Sequence, residues 1–294
     1  MTLQTALSER RVELWVEARN GVPAVNPIMR SLLDELAAAG AAVSIRVPEH
    51  EIHDPLELAS GRPPDLVLLK SATTLALSLA VADEAHGVKF LNGARATFRA
   101  HDKAATVARL AAAGLPVPET YVLERYTGST VESQKICGEW VAKPTRGIHG
   151  RGVVVHPNLA AALGAPAAIL DPKESYIMHN SIRLIQRRIG GKEPDVKVYV
   201  AGKRCFAGRK AFGPVSYRTD RIEPLDLDVA TRETVLAVGE ALGLRCFGVD
   251  LRFLSDRPVI IDANPFPGYR GFPTAVPVLQ SEIERALLLK PVNR

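Results

Sequence analysis

Two acidic motifs in the last fifth of the chain combine residue types that bind divalent cations. The first is Gly248-Val-Asp250, and twelve residues after its aspartate comes Asp262-Ala-Asn264. Each motif ends an apolar stretch, so a hairpin between the two would bring their carboxylates side by side. Carboxylate and amide oxygens suit Mg²⁺ better than zinc or copper, and Mg²⁺ commonly takes one or two carboxylates together with substrate phosphates. Asp250, Asp262 and Asn264 are therefore candidate metal ligands, with turn solvation as the alternative role of the aspartates.

A glycine-rich stretch is the second feature that could do chemistry. Residues 143–152 read KPTRGIHGRG. Glycine lets backbone N–H groups approach phosphate oxygens closely, and the ammonium of Lys143 adds a positive charge beside them. The spacing is neither that of a Walker A loop nor that of a dinucleotide-binding fingerprint. Taken alone, the stretch predicts either a phosphate-binding lid or an ordinary hairpin turn.

Positive charge is concentrated in one segment of the chain. The net charge is +5, yet residues 183–221 contain eleven Lys/Arg and three Asp/Glu, so this segment carries +8 and the remainder carries −3. This uneven distribution favours a local site for an anionic substrate, with a solvated basic face as the alternative. We do not expect a nucleic-acid partner, because few aromatic residues interleave with these charges and no RNP-like motif surrounds them.

Composition limits the class of protein. The chain has 294 residues, 47% hydrophobic and 23% charged, which is typical of a globular protein of about two domains. The longest apolar run, residues 71–82, is far shorter than the roughly 18 residues that cross a bilayer, so no membrane partner is expected. Three widely spaced cysteines and the absence of an apolar leader predict a cytoplasmic location without a structural zinc site.

The elements that must position these residues fall into three groups. Strand and helix signals alternate over the first third of the chain, where Asn26-Pro27 begins a helix that Gly40 ends. This alternation predicts a small α/β domain with a largely parallel sheet. A second unit starts near Thr97, with Asp102 capping a helix, and a third holds five strands and two helices. The predicted subdomains are residues 1–96, 97–183 and 184–294.

The order of these parts resembles the ATP-grasp superfamily, and the resemblance extends from Asp65 to about Phe272. It implies an α/β fold of three subdomains in which ATP lies between two β-layers. The parts that carry it are specific jointly rather than singly. They are the Asp102-Lys103 helix start, the Lys143 strand with its glycines, the strand with Leu184-Ile-Gln186, Asp195-Val-Lys197, Arg218, Gly248-Val-Asp250 and Asp262-x-Asn264.

The resemblance implies a role for each site residue. Two lysines would hold the α- and β-phosphates, the glycine-rich lid would cover them, and Gln186 with the backbone after it would meet adenine, while Asp195 would meet the ribose. The implied ATP-binding residues are Lys103, Lys143, Gly147, His149, Gly150, Gly152, Gln186, Arg187, Ile189 and Asp195. The acidic motifs would bind two Mg²⁺ ions, with Mn²⁺ as an alternative metal. The residues expected to stabilise negative charge during catalysis are Lys197, Arg209 and Arg218.

Two branches of the superfamily compete for the function. The RimK-like carboxylate–amine ligases resemble the chain in the Asp102-Lys103 helix, in Gln186 and in Tyr217-Arg218; they imply ligation through an acyl phosphate. The inositol-phosphate kinases resemble it in residues 65–70 and in the run of residues 262–269. We expect the ligase, with the kinase as the alternative and an ATP-binding regulatory module as a third hypothesis. The substrate is expected to be a small anionic molecule or peptide, and an oligomer is compatible with the sequence.

Overall fold

A computed structural model describes residues 7–19, 21–54, 63–124, 137–147, 152–165, 182–191, 194–210 and 222–289. Within these ranges no helix is both long and apolar enough to cross a membrane. The first part of the chain alternates strands with helices, as its hydrophobic pattern predicts. Its elements are β1 (Arg11–Trp15), β2 (Ala18–Arg19), β3 (Val22–Pro23), α1 (Pro27–Ala38), β4 (Ala42–Arg46), β5 (Leu66–Leu69), α2 (Thr74–Ala85) and β6 (Phe90–Leu91).

The amino-terminal sheet is parallel, in the order β4-β1-β5-β6. Helix α1 begins where predicted: the side chain of Asn26 accepts a hydrogen bond from the backbone N–H of Met29 at 3.0 Å, and proline follows at the first helical position. Met29, Leu32 and Leu36 recur at helical spacing and are fully buried against the sheet. The predicted parallel α/β unit is therefore present.

The middle of the chain forms an antiparallel sheet in the order β7-β10-β8-β9. Strands β8 and β9 pair across the glycine-rich stretch, which therefore joins strand to strand as its flanks predict. Trp140 and Ile185 from this sheet are buried against α5. The elements are α3 (Ala94–Ala100), α4 (Lys103–Ala112), β7 (Thr120–Leu123), β8 (Trp140–Pro144), β9 (Val154–His156), α5 (Leu159–Gly164) and β10 (Arg183–Arg187).

The last part of the chain forms a second antiparallel sheet, in the order β13-β12-β11-β14-β15. Val198, Val249 and Leu251 lie on one face of this sheet and are buried against Val235 and Val238 of α6. The amino-terminal part and the central sheet lie on the opposite face of this sheet. The elements are β11 (Asp195–Ala201), β12 (Arg204–Lys210), β13 (Glu223–Pro224), α6 (Val229–Leu242), β14 (Cys246–Leu254), β15 (Arg257–Pro265) and α7 (Ala275–Leu288).

The first and third groups of elements share one hydrophobic core. Tyr199 and Tyr269 from the carboxyl-terminal part are buried in the same cluster as Leu14 and Met29 from the amino-terminal part, and Ile283 of α7 joins them. The hydroxyl of Tyr269 donates to the carbonyl oxygen of Val200 at 2.6 Å, which satisfies its polar end. The amino-terminal and carboxyl-terminal parts are thereby packed together, and α7 contacts both β5 and β11.

Two of the predicted subdomain boundaries fall inside elements. The boundary between residues 96 and 97 lies within α3, which packs against both α2 and α4. The boundary between residues 183 and 184 lies within β10, and β10 pairs with β7 and β8, so this strand belongs to the central sheet rather than to the third subdomain. Hydrophobic pattern identified β10 as a strand, but sheet membership depends on pairing partners distant in the chain. The three-subdomain division itself remains a proposal.

Candidate active site

Strand register determines on which face of the carboxyl-terminal sheet each site residue lies. Lys197 of β11 is the register partner of Asp250 of β14, and Asp250 is in turn the partner of Asp262 of β15. Side chains opposite each other in register lie on the same face, so these three share a face. Tyr199 and Cys246 continue that face and are buried under the amino-terminal layer. The site therefore occupies the polar end of this face, where Lys197, Asp250 and Asp262 lie.

The hairpin predicted between the two acidic motifs is formed by β14 and β15. Asp250 stands opposite Asp262, and Gly248 stands opposite Asn264. The amide nitrogen of Asn264 donates to Oδ2 of Asp262 at 3.2 Å. Both aspartates lie within strands rather than at strand ends, because the two strands continue for several residues to the turn between Leu254 and Arg257.

Lysines from three separate elements converge on this hairpin. Lys197 of β11 donates to Oδ1 of Asp250. Lys103 is the first residue of α4, and its Nζ atom binds both carboxylate oxygens of Asp262, at 2.6 and 2.8 Å. Lys143 of β8 belongs to the central sheet, and its Nζ atom donates to the carbonyl oxygen of Ile261 at 2.8 Å. The two antiparallel sheets therefore face each other across these lysines.

Helix α4 is positioned by contacts at its first turn. The side chain of Asp102 caps it by accepting from the backbone N–H groups of Ala104 and Ala105, as the sequence predicts. The backbone N–H of Lys103 donates to the carbonyl oxygen of Thr145 at 2.7 Å. The start of α4 is thus fixed against the start of the glycine-rich stretch, and Lys103 extends from there to Asp262.

The charges at the site shift one another's pKa values. Burial alone would raise the pKa of Asp262, but the ammonium groups of Lys103 and Lys143 outweigh it and hold that pKa well below its usual range. Burial lowers the pKa of Lys143 to about 8, against the opposing attraction of Asp262. Burial also opposes protonation of Lys197, yet the adjacent Asp250 raises its pKa above the ordinary value. The Asp262 carboxylate is accordingly ionised at neutral pH.

The residues of the hairpin fit a magnesium site by donor chemistry. Two carboxylates and one amide from neighbouring strands supply hard oxygen ligands on one face. Within the described ranges, no group of three or more His, Cys, Asp or Glu side chains is arranged to hold a metal. Asp262 forms an ion pair with Lys103, and Asp250 forms one with Lys197.

Gln186 and Asp195, which the resemblance assigns to the nucleoside, lie on β10 of the central sheet and β11 of the carboxyl-terminal sheet. Gln186 is buried, its register partner is Val141, and it lies on the same face of the central sheet as Lys143; its amide donates to Oγ1 of Thr120 at 3.1 Å. Oδ1 of Asp195 accepts from Nε of Arg252 at 2.7 Å. The pKa of Asp195 is raised by burial, against the attraction of Arg252.

Arg252 is a site residue that the sequence analysis missed. Besides Asp195, it binds the carbonyl oxygens of Ile189 and Gly191, at 3.3 and 2.9 Å. It is 8% exposed, so its charge is held almost entirely by these partners. The sequence carries a signal for it, since Gly248, Asp250 and Arg252 alternate along one strand and should share a face.

Some predicted residues are not brought to the cluster. The structure contradicts the catalytic role of Arg209: its register partner is Val196, which is buried in the core under α6, so strand alternation places Arg209 on the opposite face from Lys197. The backbone N–H of Arg187 donates to the Glu119 carbonyl oxygen, and the Ile189 carbonyl oxygen accepts from Arg252. The role of these two residues at the nucleotide remains a prediction.

The glycine-rich lid is only partly described. Gly147 follows β8, and Gly152, with φ of +70°, precedes β9. The predicted lid residues His149 and Gly150, and the predicted catalytic residue Arg218, lie outside the described residues.

Two arginines of the basic segment are bound by local acceptors. Arg188 binds Glu139 at 2.5 Å and the Gly191 carbonyl oxygen at 2.9 Å. Arg187 donates to the carbonyl oxygen of Cys137 at 3.1 Å and lies 3.6 Å from Glu119. An anion-binding role for this segment remains a prediction, since charge counts alone do not distinguish exposed cations from paired ones.

Curated proteins with similar sequences are ligases. The chain is 26% identical over 192 residues to the alpha-aminoadipate–LysW ligase LysX of Saccharolobus solfataricus, which covers 63% of this chain and 68% of LysX. It is 27% identical over 203 residues to a probable alpha-L-glutamate ligase of Thioalkalivibrio sulfidiphilus, covering 65% of this chain and 64% of that protein. The chain therefore spans about two thirds of the length of the curated relatives it matches. No protein-family model matches the chain.

Solved structures show the same fold over nearly the whole chain. A RimK domain ATP-grasp protein of Sphaerobacter thermophilus superposes with a TM-score of 0.71 at 21% identity, covering 95% of this chain and all of that one. The fold predicted from the motif order is confirmed, and so is the likeness to ligases of this type. The chain has the ATP-grasp fold and resembles the RimK-like carboxylate–amine ligases of that superfamily.

Proposed function

We propose that this protein is an ATP- and Mg²⁺-dependent ligase that joins a carboxylate to an amine through an acyl phosphate. One observation carries the proposal: lysines from α4, β8 and β11 meet the two aspartates of one hairpin between two facing sheets. This set provides cations for phosphate oxygens and oxygen ligands for a metal in one place. The same arrangement would serve poorly as a purely structural ion network, because burying several charges is costly.

Nucleotide binding would exchange the present partners of Lys103 and Lys143 for phosphate oxygens. Asp250, Asp262 and Asn264 would hold Mg²⁺, which neutralises negative charge on the phosphates. Lys103 and Lys143 would then bind phosphate oxygens in place of Asp262 and the Ile261 carbonyl oxygen. Ammonium–phosphate contacts are charge-assisted and individually strong, so the exchange keeps every charge partnered.

The chemistry would proceed in two displacements. A carboxylate oxygen of the substrate attacks the γ-phosphorus, the bond to the β–γ bridging oxygen breaks, and ADP leaves. The amine nitrogen then attacks the carbonyl carbon of the acyl phosphate, inorganic phosphate leaves, and the nitrogen loses a proton. Lys197 is the cation placed to stabilise negative charge in both steps. Arg218 remains a second candidate for this role.

The substrate proposed is a small molecule or peptide that carries negative charge. The basic segment and the ligase relatives support this class, although neither identifies the acyl donor or the amine. A cytoplasmic location and an oligomeric state remain predictions from the sequence.

A kinase is retained as the second candidate because of Asp262. The run from Asp262 to Tyr269 resembles the inositol-phosphate kinases, whereas the ligases usually have glutamate at this position. A kinase would transfer the γ-phosphate to a hydroxyl of an anionic polyol and would leave the phosphate on its product.

Product analysis tests the proposal directly. Purified protein is incubated with ATP, Mg²⁺ and a panel of carboxylates and amines, and ADP and free phosphate are measured separately. The ligase predicts equal amounts of both, a requirement for a carboxylate and an amine, and hydroxamate formation when hydroxylamine replaces the amine. ADP without free phosphate, together with a phosphorylated polyol, would establish the kinase instead.

A further inference from the structure

The chain that follows the candidate metal ligand Asn264 contains two bulky residues with left-handed backbone. In the β15–α7 loop (residues 266–274), φ is +38° at Phe266 and +50° at Tyr269. Side chains other than that of glycine rarely adopt this region, because their Cβ atom crowds the backbone. Both residues are fully buried. Such a conformation persists only where the surrounding structure holds it, so the contacts of this loop show what it is built to fix.

Two hydrogen bonds tie the β15–α7 loop to strands of the carboxyl-terminal sheet. The backbone N–H of Phe266 donates to the carbonyl oxygen of Cys246, at the start of β14, at 2.9 Å. The hydroxyl of Tyr269 donates to the carbonyl oxygen of Val200 in β11 at 2.6 Å, and its ring packs on that of Tyr199 with 5.5 Å between centroids. Both strands also carry charged residues of the candidate site. The left-handed backbone is therefore held against the sheet that carries the site.

The amino-terminal part of the chain holds the same loop through Asn26. Its Nδ2 atom donates to the carbonyl oxygen of Gly268 at 3.2 Å, while its Oδ1 atom accepts from the backbone N–H of Met29 and caps α1. A larger residue at position 268 would displace this amide, because a Cβ atom there would lie 2.4 Å from Nδ2 of Asn26. One side chain thus begins α1 and fixes the loop from the opposite side.

The loop is linked to Asn264 both along the chain and through space. It begins two residues after Asn264, which itself donates to Oδ2 of Asp262 at 3.2 Å. Gly248 is the register partner of Asn264, and a Cβ atom at Gly248 would lie 3.4 Å from Cβ of Pro267, so the loop folds back over this end of the hairpin. A change in the loop would therefore move Asn264 relative to the aspartates.

We propose that Tyr269, together with Asn26, is a positioning residue that holds Asn264 in the geometry that binds the metal. The inference rests on the proposed function, because it takes Asn264 to be a Mg²⁺ ligand. Tyr269 contacts neither metal nor nucleotide in this role and acts through Asn264. Left-handed backbone at bulky residues cluster at sites where geometry matters more than local stability, which is the pattern of this loop.

The magnesium dependence of nucleotide binding tests this role without turnover. Calorimetry gives the Kd for ADP with Mg²⁺ present and with EDTA in its place. Tyr269→Phe removes only the hydroxyl, and Asn26→Ser removes the amide donor while keeping an oxygen that caps α1. We expect each variant to weaken binding of MgADP by about fivefold, since the loss of one hydrogen bond contributes about that factor, and to leave the Kd measured with EDTA unchanged.

A double-mutant cycle shows whether Tyr269 acts through Asn264. The cycle compares Tyr269→Phe, Asn264→Ala and the protein with both substitutions. We expect the double variant to bind MgADP no more weakly than Asn264→Ala alone, because the hydroxyl has nothing left to position. Tyr121→Phe removes the hydroxyl of an exposed tyrosine in β7 and is the matched control, which should change neither Kd.

The outcomes separate this inference from the proposed function. Additive losses in the cycle, equal losses with Mg²⁺ and with EDTA, or a lower melting temperature with an unchanged Kd for MgADP would overturn the positioning role and leave the ligase proposal intact. An Asn264→Ala protein that binds MgADP as tightly as the unmodified protein would overturn the metal-ligand role of Asn264 and this inference with it. The product analysis above tests the ligase reaction separately.

Discussion

Asp250 and Asp262 stand opposite each other on neighbouring strands, and each carboxylate is bound by a lysine. A carboxylate must be ionised to pair with an ammonium group or to bind a metal ion. The pKa of Asp262 is held low although burial opposes ionisation, because two lysines lie beside it. At the residue scale, each carboxylate of the site is therefore paired with a lysine from another element.

Asparagine substitution tests the two aspartates as metal ligands. Asp250→Asn and Asp262→Asn keep the side-chain size but remove one negative charge, so Mg²⁺ and ATP should be held poorly. We expect at least a hundredfold loss of turnover, about 3 kcal/mol, measured as ADP release at limiting Mg²⁺. Asp256→Asn, at the exposed turn of the same hairpin, is the matched control. Normal turnover in both site variants would show that neither aspartate binds the metal.

The lowered pKa of Lys143 predicts a pH dependence of nucleotide binding. Because that pKa is about 8, the ammonium loses its proton progressively as the pH rises through this value. A neutral amine attracts phosphate weakly, so the Kd for MgADP should increase between about pH 7 and about pH 9. Lys143→Arg stays charged over this range and should remove the dependence. Calorimetric titration with MgADP at each pH measures this Kd. A Kd that does not change with pH in the unmodified protein would contradict the role of Lys143.

At the scale of elements, Arg252 joins the strand that carries Asp250 to the segment that leads out of β10. One guanidinium binds Asp195 at the start of β11 and the carbonyl oxygens of Ile189 and Gly191 before it. The connection between the two antiparallel sheets is therefore held at a defined position relative to β14. The ATP-grasp resemblance assigns the nucleoside to this connection, and that assignment remains a prediction.

Removing that guanidinium should affect ATP more than the other substrates. Arg252→Met leaves the buried Asp195 carboxylate without its partner, so we expect the KM for ATP to increase by about tenfold and the free energy of unfolding to fall by about 1–3 kcal/mol. Arg257→Met, exposed at the turn of the same hairpin, is the control and should change neither. An Arg252→Met protein with lower stability but unchanged KM for ATP would show a structural role only.

At the scale of the whole molecule, the core does not follow the order of the chain. Leu14 and Met29 from the first third share one buried cluster with Tyr199, Tyr269 and Ile283 from the last third. The central sheet faces the site from the other side through Lys143. The site thus lies where all three layers meet, and its geometry depends on packing between the two ends of the chain.

This shared core predicts that the amino-terminal subdomain cannot be removed. A fragment of residues 97–294 would expose the buried face that carries Tyr199, Tyr269 and Leu279, an apolar area that the remaining chain does not cover. We expect the fragment to aggregate or to lack a cooperative thermal transition, as followed by circular dichroism and size-exclusion chromatography. A soluble fragment with a cooperative transition would show that residues 1–96 are an independent domain.

The sequence by itself determined the elements and the motifs that mark the fold. Asn26 and Asp102 cap helices α1 and α4 as predicted, since capping depends on residues two or three positions apart. The acidic motifs twelve residues apart predicted their own hairpin for the same reason: the turn and both strands are local. Motif order then sufficed to identify the ATP-grasp resemblance, which the solved structures confirm as the fold.

Only the tertiary structure decided which residues share a face of a sheet and which distant residues pair. Arg209 and Lys197 are both basic residues on adjacent strands, yet a register that pairs Arg209 with Val196 places them on opposite faces. Arg252 acquires its role from Asp195, which is 57 residues away in the chain. These outcomes depend on strand register and long-range packing, which no local pattern of residues encodes.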